Sequence, residues 1–291
     1  MMALTAALAV LVGVALGLLG GGGSILMVPL LAYVAGMDAK HAIATSLLVV
    51  GIASVVGVIA HARAGRVRWR TAVLIGVAAM AGAYAGGRLA HFIPGTVLMI
   101  AFAAVMVAAA IAMLRSRNNT GPTPQRGQLP RRTMIALSGV AVGVLSGLVG
   151  AGGGFLLVPA LALLAGLEMP TAVGTSLVVI AMQSSAGLAG HLAHEHIDWQ
   201  LAGLVTAAAV TGAMIGGRLT ALVKPDALRI AFGWVTLLMA AVMLAKETEP
   251  AVGIAMAAGT LAAAITYLTC RRTTHCPLRS LTGRARAIAR G

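Results

Sequence analysis

Charge is what this chain has least of. Only 10% of its 291 residues are charged, and only 7 of them are Asp or Glu. A soluble domain carries about 25% charged residues, so a water-exposed globular fold is excluded. Aromatic residues make up 3%, too few for Trp and Tyr belts at membrane interfaces, and boundaries must be read from charge instead. The two cysteines, Cys270 and Cys276, both fall in a basic C-terminal stretch. They exclude a disulfide framework on the reducing side of a membrane, and with His275 they are too few for a closed zinc site. The stretch 1–17 lacks a positively charged start and a small-residue cleavage site. It is read as retained structure and not as a signal peptide.

What the chain has is apolar length. Hydrophobic residues reach 59%, the mean hydropathy is +0.97, and there are 37 glycines. Charges gather in short clusters between apolar runs of membrane-spanning length. This is the pattern of a polytopic helical membrane protein, and small residues let its helices approach closely in lipid. The net charge of +14 would suit nucleic acid in a soluble protein. Here the arginines lie in short loops and the tail, where Lys and Arg set membrane orientation. The lipid bilayer is the expected partner, and nucleic acid is not.

The run Gly20-Gly21-Gly22-Gly23-Ser24, followed by Val28-Pro29, returns 130 residues later as Gly150-Ala151-Gly152-Gly153-Gly154 with Val158-Pro159. At that offset 17–114 aligns on 147–244 without a gap, with about 40 of 98 positions identical. Thr45-Ser46-Leu47 matches Thr175-Ser176-Leu177, His61 matches His191, Trp69 matches Trp199, and Gly86-Gly87-Arg88-Leu89 matches Gly216-Gly217-Arg218-Leu219. Two long copies signal an internally duplicated transporter fold, not a solenoid. Each copy holds an interrupted apolar region (3–36; 134–166) and three ordinary spans (42–60, 71–89, 96–114; 172–192, 201–219, 227–244). A last apolar segment, 252–268, has no counterpart.

Loop charge fixes the relation between the copies. The loop 61–70 carries Arg63, Arg66, Arg68 and Arg70, whereas its counterpart 191–200 carries Glu195 and Asp198 and no Lys or Arg. Equivalent loops of opposite charge belong on opposite sides. The expected fold is therefore an all-α polytopic membrane protein of two inverted repeats. Each has a Gly-rich broken-helix hairpin plus three transmembrane helices, and one extra C-terminal helix follows. The expected units are 1–114, a cytoplasmic linker 115–132, 133–245, the extra helix 250–268 and a basic cytoplasmic tail 269–291. The arms are short: 24–36 makes roughly 20 Å of helix, against about 30 Å of hydrocarbon.

Broken helix at membrane depth is tolerated only against protein or water, and matched breaks in two halves point to a substrate site. Glycines leave N–H groups uncovered, and a helix N-terminus carries the positive dipole end, so the tips suit a small anion. The candidate binding residues are Gly20, Gly21, Gly22, Gly23, Ser24, Gly150, Gly152, Gly153 and Gly154, with Thr45, Ser46, Thr175, Ser176 and Gln183 adding hydroxyls and an amide. Ser24 could also cap its helix. Against this stand plainer roles. Glycines serve close packing, Ser and Thr bond back to their own helix, Gln183 could serve one interhelical bond, and Arg88 and Arg218 snorkel to the interface. Asp38 and Glu168 follow the hairpins as solvated or hairpin-locking groups. His61 and His191 are candidates for proton coupling. His191, His194, Glu195 and His196 resemble a metal cluster, but the other copy keeps only His61, and no metal or cofactor is expected. No Lys-Ser or Lys-Thr follows the glycines, which excludes a P-loop, and no catalytic constellation occurs, so no enzyme is expected.

At these residues the chain resembles the TauE/SafE family of sulfite exporters. The resemblance rests on Gly17-x-x-Gly20-Gly21-Gly22-Gly23-Ser24-x-x-x-Val28-Pro29 and Gly147-x-x-Gly150-x-Gly152-Gly153-Gly154-x-x-x-Val158-Pro159. Ala42-x-x-Thr45-Ser46, Gly174-Thr175-Ser176 and the two Gly-Gly-Arg runs fit too. The resemblance implies a multi-pass permease of the plasma (inner) membrane that moves sulfite, sulfonates or similar anions, usually outward. An anion channel and a non-transporting scaffold or assembly factor are the alternatives, and a homodimer stays open. The inverted arrangement predicts that Arg66→Cys and His196→Cys, in a background lacking Cys270 and Cys276, react with an impermeant thiol reagent from opposite sides. Labelling from one side would exclude it.

Overall fold

A computed structural model describes residues 2–19, 21–115, 131–150, 153–154, 157–158, 161, 167–192, 195, 197–219 and 225–247. Among them all regular structure is helical. Gly20, Gly152, Pro159, Gly166, His194, His196, most of the linker, the segment 252–268 and the basic tail lie outside the described residues.

Helix α1 (Met2–Leu19) stops at the first glycine run. Gly21 takes φ 112°, a left-handed conformation that costs a side-chain-bearing residue dearly. Its N–H bonds the Leu16 carbonyl at 3.3 Å, and its own carbonyl accepts from Ser24 N at 3.2 Å. The chain then doubles back. A Cβ built on Gly23 would lie 2.5 Å from the Val12 oxygen and 2.9 Å from the Ala15 carbonyl carbon, so the returning arm lies directly on α1. That arm is wound unevenly: a 3₁₀ turn Gly22–Leu26, a short α2 (Met27–Pro29) and a π turn Leu30–Val34. Pro29 has no N–H to give, and the wide bonds Ala35 N to Leu30 O (3.1 Å) and Met37 N to Leu31 O (3.1 Å) follow it. The second copy has the same kind of closing bond, Leu167 N to Leu161 O at 3.3 Å.

Among the described residues seven further long helices follow the first arm, with α6 ending at the second break: α3 (Ala39–Arg63), α4 (Trp69–Ala90), α5 (Gly95–Arg115), α6 (Arg131–Val149), α7 (Met169–His191), α8 (Trp199–Leu219) and α9 (Pro225–Glu247). Several begin ahead of their apolar runs because a polar residue caps them. Asp38 accepts from Lys40 N at 3.2 Å, and Asp198 accepts from Gln200 N and Leu201 N at 3.0 and 3.2 Å. Glu168 precedes α7, which has Pro170 in its first turn. By length and composition Ala39–Arg63, Trp69–Ala90, Pro170–His191 and Trp199–Leu219 can cross a membrane. Met2–Leu18, Gly23–Val34, Gly95–Ile111 and Ala136–Val149 are shorter apolar helices.

Helices α3 and α7 cross at the centre and run antiparallel. Gly174, early in α7, lies against His61 and Arg66 at the end of α3, while His41 at the start of α3 faces Glu195 beyond the end of α7. The arginine loop after α3 and the acidic loop after α7 therefore sit at opposite ends of the bundle. Around this pair α4 packs on α6 and α7, α8 packs on α1 and α3, and α5 packs on α9.

The outer packing is backbone on backbone. Methyl groups added at Gly143 and Gly147 of α6 would strike the Ala79 and Ala83 carbonyls of α4, and those at Gly82 and Gly86 of α4 would strike the Val140 and Val144 carbonyls. The same contacts recur at the offset of 130: Gly13 and Gly17 on Ala209 and Ala213, Gly212 and Gly216 on Val10 and Val14. This is small-xxx-small packing in both directions. Replacing Gly143 or Gly13 by Val should destabilise by about 1–3 kcal/mol through overpacking, read as a lowered melting temperature in detergent. Gly203→Ala, where nothing lies within 4 Å, should leave it unchanged.

Candidate functional site

The two glycine breaks meet. A Cβ on Gly154 would lie 2.5 Å from Gly21 Cα and 2.6 Å from Ile180 Cδ1 of α7, and one on Gly21 would lie 2.7 Å from Gly154 Cα. Two backbones thus touch with a single isoleucine side chain against both. Close approach and positive φ make the glycines obligatory here: Gly21 at 112°, Gly150 at 72° and Gly153 at 59°.

Polar side chains converge on this contact from the central helices. A Cβ on Gly153 would meet the Gln183 amide nitrogen at 2.7 Å and Ser146 Cβ at 3.3 Å. Gln183 is completely buried. Ser184, its neighbour on α7, packs on Gly51 of α3, 3.3 Å from where a Cβ would stand. One turn along α3 from Gly51 is Ser54. The hydroxyls of Ser54, Ser146 and Ser184 are all buried and have no protein partner. A buried hydroxyl without a partner costs free energy comparable to a lost hydrogen bond. A polar ligand or water passing the crossing would recover it.

The residues expected from sequence divide into two groups. Gly21 and Gly154 touch, Gly153 lies against Gln183, Gly150 lies against Ile43 and Ser46 of α3, Gly23 lies on α1, and Gly22 opens the 3₁₀ turn. Gly20 and Gly152 lie outside the described residues. The hydroxyls are mostly engaged in holding the turns. Ser24 Oγ donates to the Gly21 carbonyl at 2.6 Å, and the turn carries no side-chain cap. Ser46 Oγ is within 2.7 Å of both the Ile43 and Gly150 carbonyls. It thus pins the second tip to α3. Ser176 Oγ bonds back to Val173 O at 2.8 Å. Thr175 Oγ1 accepts from Arg68 N at 3.1 Å, far from the tips at the arginine end. The Thr45 hydroxyl is buried without a partner.

His61 and His191 are both buried. His191 Nε2 lies 2.8 Å from the Gly147 carbonyl near the end of α6. His61 stands against Gly174 of α7. These imidazoles brace helix ends on either side of the tips. Among the described residues no group of three His, Cys, Asp or Glu could hold a metal ion.

Sequence reasoning missed Ser54, Ser146 and Ser184. Ser54 and Ser184 are identical at the offset of 130, and that signal could have found them. Ser146 has Leu16 as its counterpart and left no such mark.

Long apolar helices, short Gly-rich helical segments and a polar crossing buried inside them define an α-helical, multi-pass membrane protein. Residues 5–243 match the family model described as sulfite exporter TauE/SafE, and the chain belongs to that family. It is 37% identical over 209 residues, 71% of this chain and 80% of the other, to a probable membrane transporter protein of Xylella fastidiosa (strain 9a5c). It is 31% identical over 195 residues, 64% and 72% respectively, to a probable membrane transporter protein of Methanocaldococcus jannaschii. A third, the probable membrane transporter protein YdhB of Bacillus subtilis (strain 168), is 26% identical over 227 residues, 76% and 91%. No solved structure matches the chain. The protein is a membrane transporter and not an enzyme.

The tip contact predicts a sharp functional effect. Gly154→Val would force the two breaks apart, and flux in proteoliposomes should fall on the order of tenfold or more. Membrane insertion should be retained, because the change lies at an inner contact and leaves every apolar run intact. Unchanged flux would remove the tips from the transport path.

Proposed function

We propose that the protein is a secondary transporter that exports small sulfur-containing anions, such as sulfite or organosulfonates, through a site at the meeting point of its glycine breaks. The observation that carries this reading is the Gly21–Gly154 backbone contact beside the Gln183 amide and the unpartnered hydroxyls of Ser54, Ser146 and Ser184. Every group offered there is neutral, and the groups able to donate hydrogen bonds are amides and hydroxyls. Such a set replaces the water around an oxyanion without burying a fixed counter-charge. It binds with modest affinity and releases readily, which suits an exporter.

The two repeats, 1–114 and 133–245, would act as inverted halves around this point. Alternating access then needs one bundle to rock against the other about the tips. No nucleotide motif is present in the sequence, so an ion gradient, the membrane potential or the substrate gradient supplies the drive. A negative interior alone favours anion exit by about 2.3 kcal/mol per charge per 100 mV. The arginine-rich end would be cytoplasmic. His61 and His191, each buried beside a hairpin, are the coupling candidates.

Flux into proteoliposomes should saturate with sulfite, thiosulfate, sulfoacetate or taurine. Sulfite and sulfonates should compete with one another, and choline and acetamide should not. Choline competing as well as sulfite would overturn the anion reading. Gln183→Leu should weaken competition by sulfite about tenfold, the effect of removing one donor to a charged ligand.

A further inference from the structure

Where α3 and α7 cross, the same apolar contact stands on both sides of the buried serines. Gly51 of α3 faces Ser184 of α7, whose Cβ lies 3.3 Å from where a Cβ at Gly51 would stand. Further along α3 toward the arginine end, Gly57 faces Leu177. The leucine Cδ1 and Cδ2 lie 3.3 and 3.7 Å from a Cβ built on that glycine. Toward the opposite end, Gly187 of α7 faces Leu47 of α3, with Cδ1 and Cδ2 at 3.4 and 3.6 Å and Gly147 Cα of α6 at 3.6 Å. Both leucines are fully buried. Leu47 matches Leu177 at the offset of 130, Gly57 matches Gly187, and Ser54 matches Ser184. Duplication explains why a leucine sits on a glycine twice. The antiparallel course of α3 and α7 puts the two copies on opposite sides of the serines. The stretch 47–57 of α3 spans roughly 15 Å of helix.

A glycine gives a leucine a flat seat, because no Cβ stands in the way of the two methyl groups. Only dispersion holds the leucine there, and each such contact is small. Turning about its side-chain torsions from one staggered rotamer to another takes the leucine off the seat without breaking either helix. While seated, its methyl groups keep water from the neighbouring hydroxyls, and apolar constrictions of this kind close a path by dewetting. The hydroxyls of Ser54 and Ser184 lie between the two seats, buried and without a protein partner.

We propose that Leu47 and Leu177 are the two gates of the transport path, each closing one side of the polar set by seating on a glycine of the facing central helix. Leu177 leaving Gly57 opens the set toward the arginine end. Leu47 leaving Gly187 opens it toward the other end. Both are seated in this structure, so the polar set is shut off from both ends at once. Alternating access then requires that the two leucines never leave together. The proposal rests on the transport reading, because a gate implies a path, but its test needs no substrate.

The reporter is Ser184→Cys in the full chain, in a background lacking Cys270 and Cys276. Its reaction with an impermeant methanethiosulfonate is timed from each side of the membrane, in intact cells and in inside-out vesicles. Leu177→Ala should speed the reaction about tenfold from one side only, the effect of raising an open population from about 1% to about 10%. Leu47→Ala should do the same from the other side only. Leu177→Met and Leu47→Met conserve volume and should keep the parent rate. Alanine variants that react faster from both sides would show general loosening through lost packing and would overturn the gates. So would two alanine variants that react from the same side, or that keep the parent rate. Sulfite flux is measured separately in the protein carrying the native Ser184. Flux there without sided access in the variants overturns the gates and leaves the transport reading. Sided access in a protein that carries no sulfur anion overturns that reading and leaves the gates.

Discussion

The architecture depends on how closely two helix backbones can approach when nothing but hydrogen stands between them. In lipid there is no hydrophobic gain from bringing helices together, and van der Waals contact carries most of the association. Each methyl group left off Gly13, Gly17, Gly143 and Gly147 lets a carbonyl of the facing helix settle into its place. The outer pairs α1–α8 and α4–α6 are built this way. They hold the crossed pair α3–α7 between them, and that crossing positions Gln183 and the buried serines beside the tips.

A second constraint acts at the tips. A helix that ends at membrane depth exposes backbone groups that lipid cannot satisfy. The two breaks turn sharply and face one another. Ser24 and Ser46 hold the turns by bonding the Gly21 and Gly150 carbonyls. The hydroxyls of Ser54, Ser146 and Ser184 are left without a partner. Stability and the proposed binding thus draw on different members of one polar set.

The extent of each long helix was legible in the sequence, and its rotation was not. Hydropathy located the helices to within a few residues, and Gly20–Gly23 marked the first break. The starts were misplaced inward at α3 and α8, because Asp38 and Asp198 begin a helix before its apolar run begins. Opposite loop charge anticipated that Arg66 and Glu195 stand at opposite ends. Which face of α3 meets α7 was not readable, because both helices are apolar nearly all round and show no stripe. For that reason Thr175 was expected near the tips and instead holds Arg68 N, while Ser184 was overlooked. Ser24 was expected to offer its hydroxyl outward, yet a carbonyl three residues back is the nearer acceptor.

The reciprocal glycine contacts also govern how the protein is made. Helix α1 finds its seat on Ala209 and Ala213, and α4 finds its seat on Val140 and Val144. Neither surface exists when the first copy leaves the ribosome. Until the second copy arrives, the glycine faces of α1 and α4 stand open to lipid with no matching ridge to fill them. The halves cannot mature one after the other. Assembly has to be a late interlocking of two incomplete sheaves, and the first must survive in the bilayer long enough to meet the second.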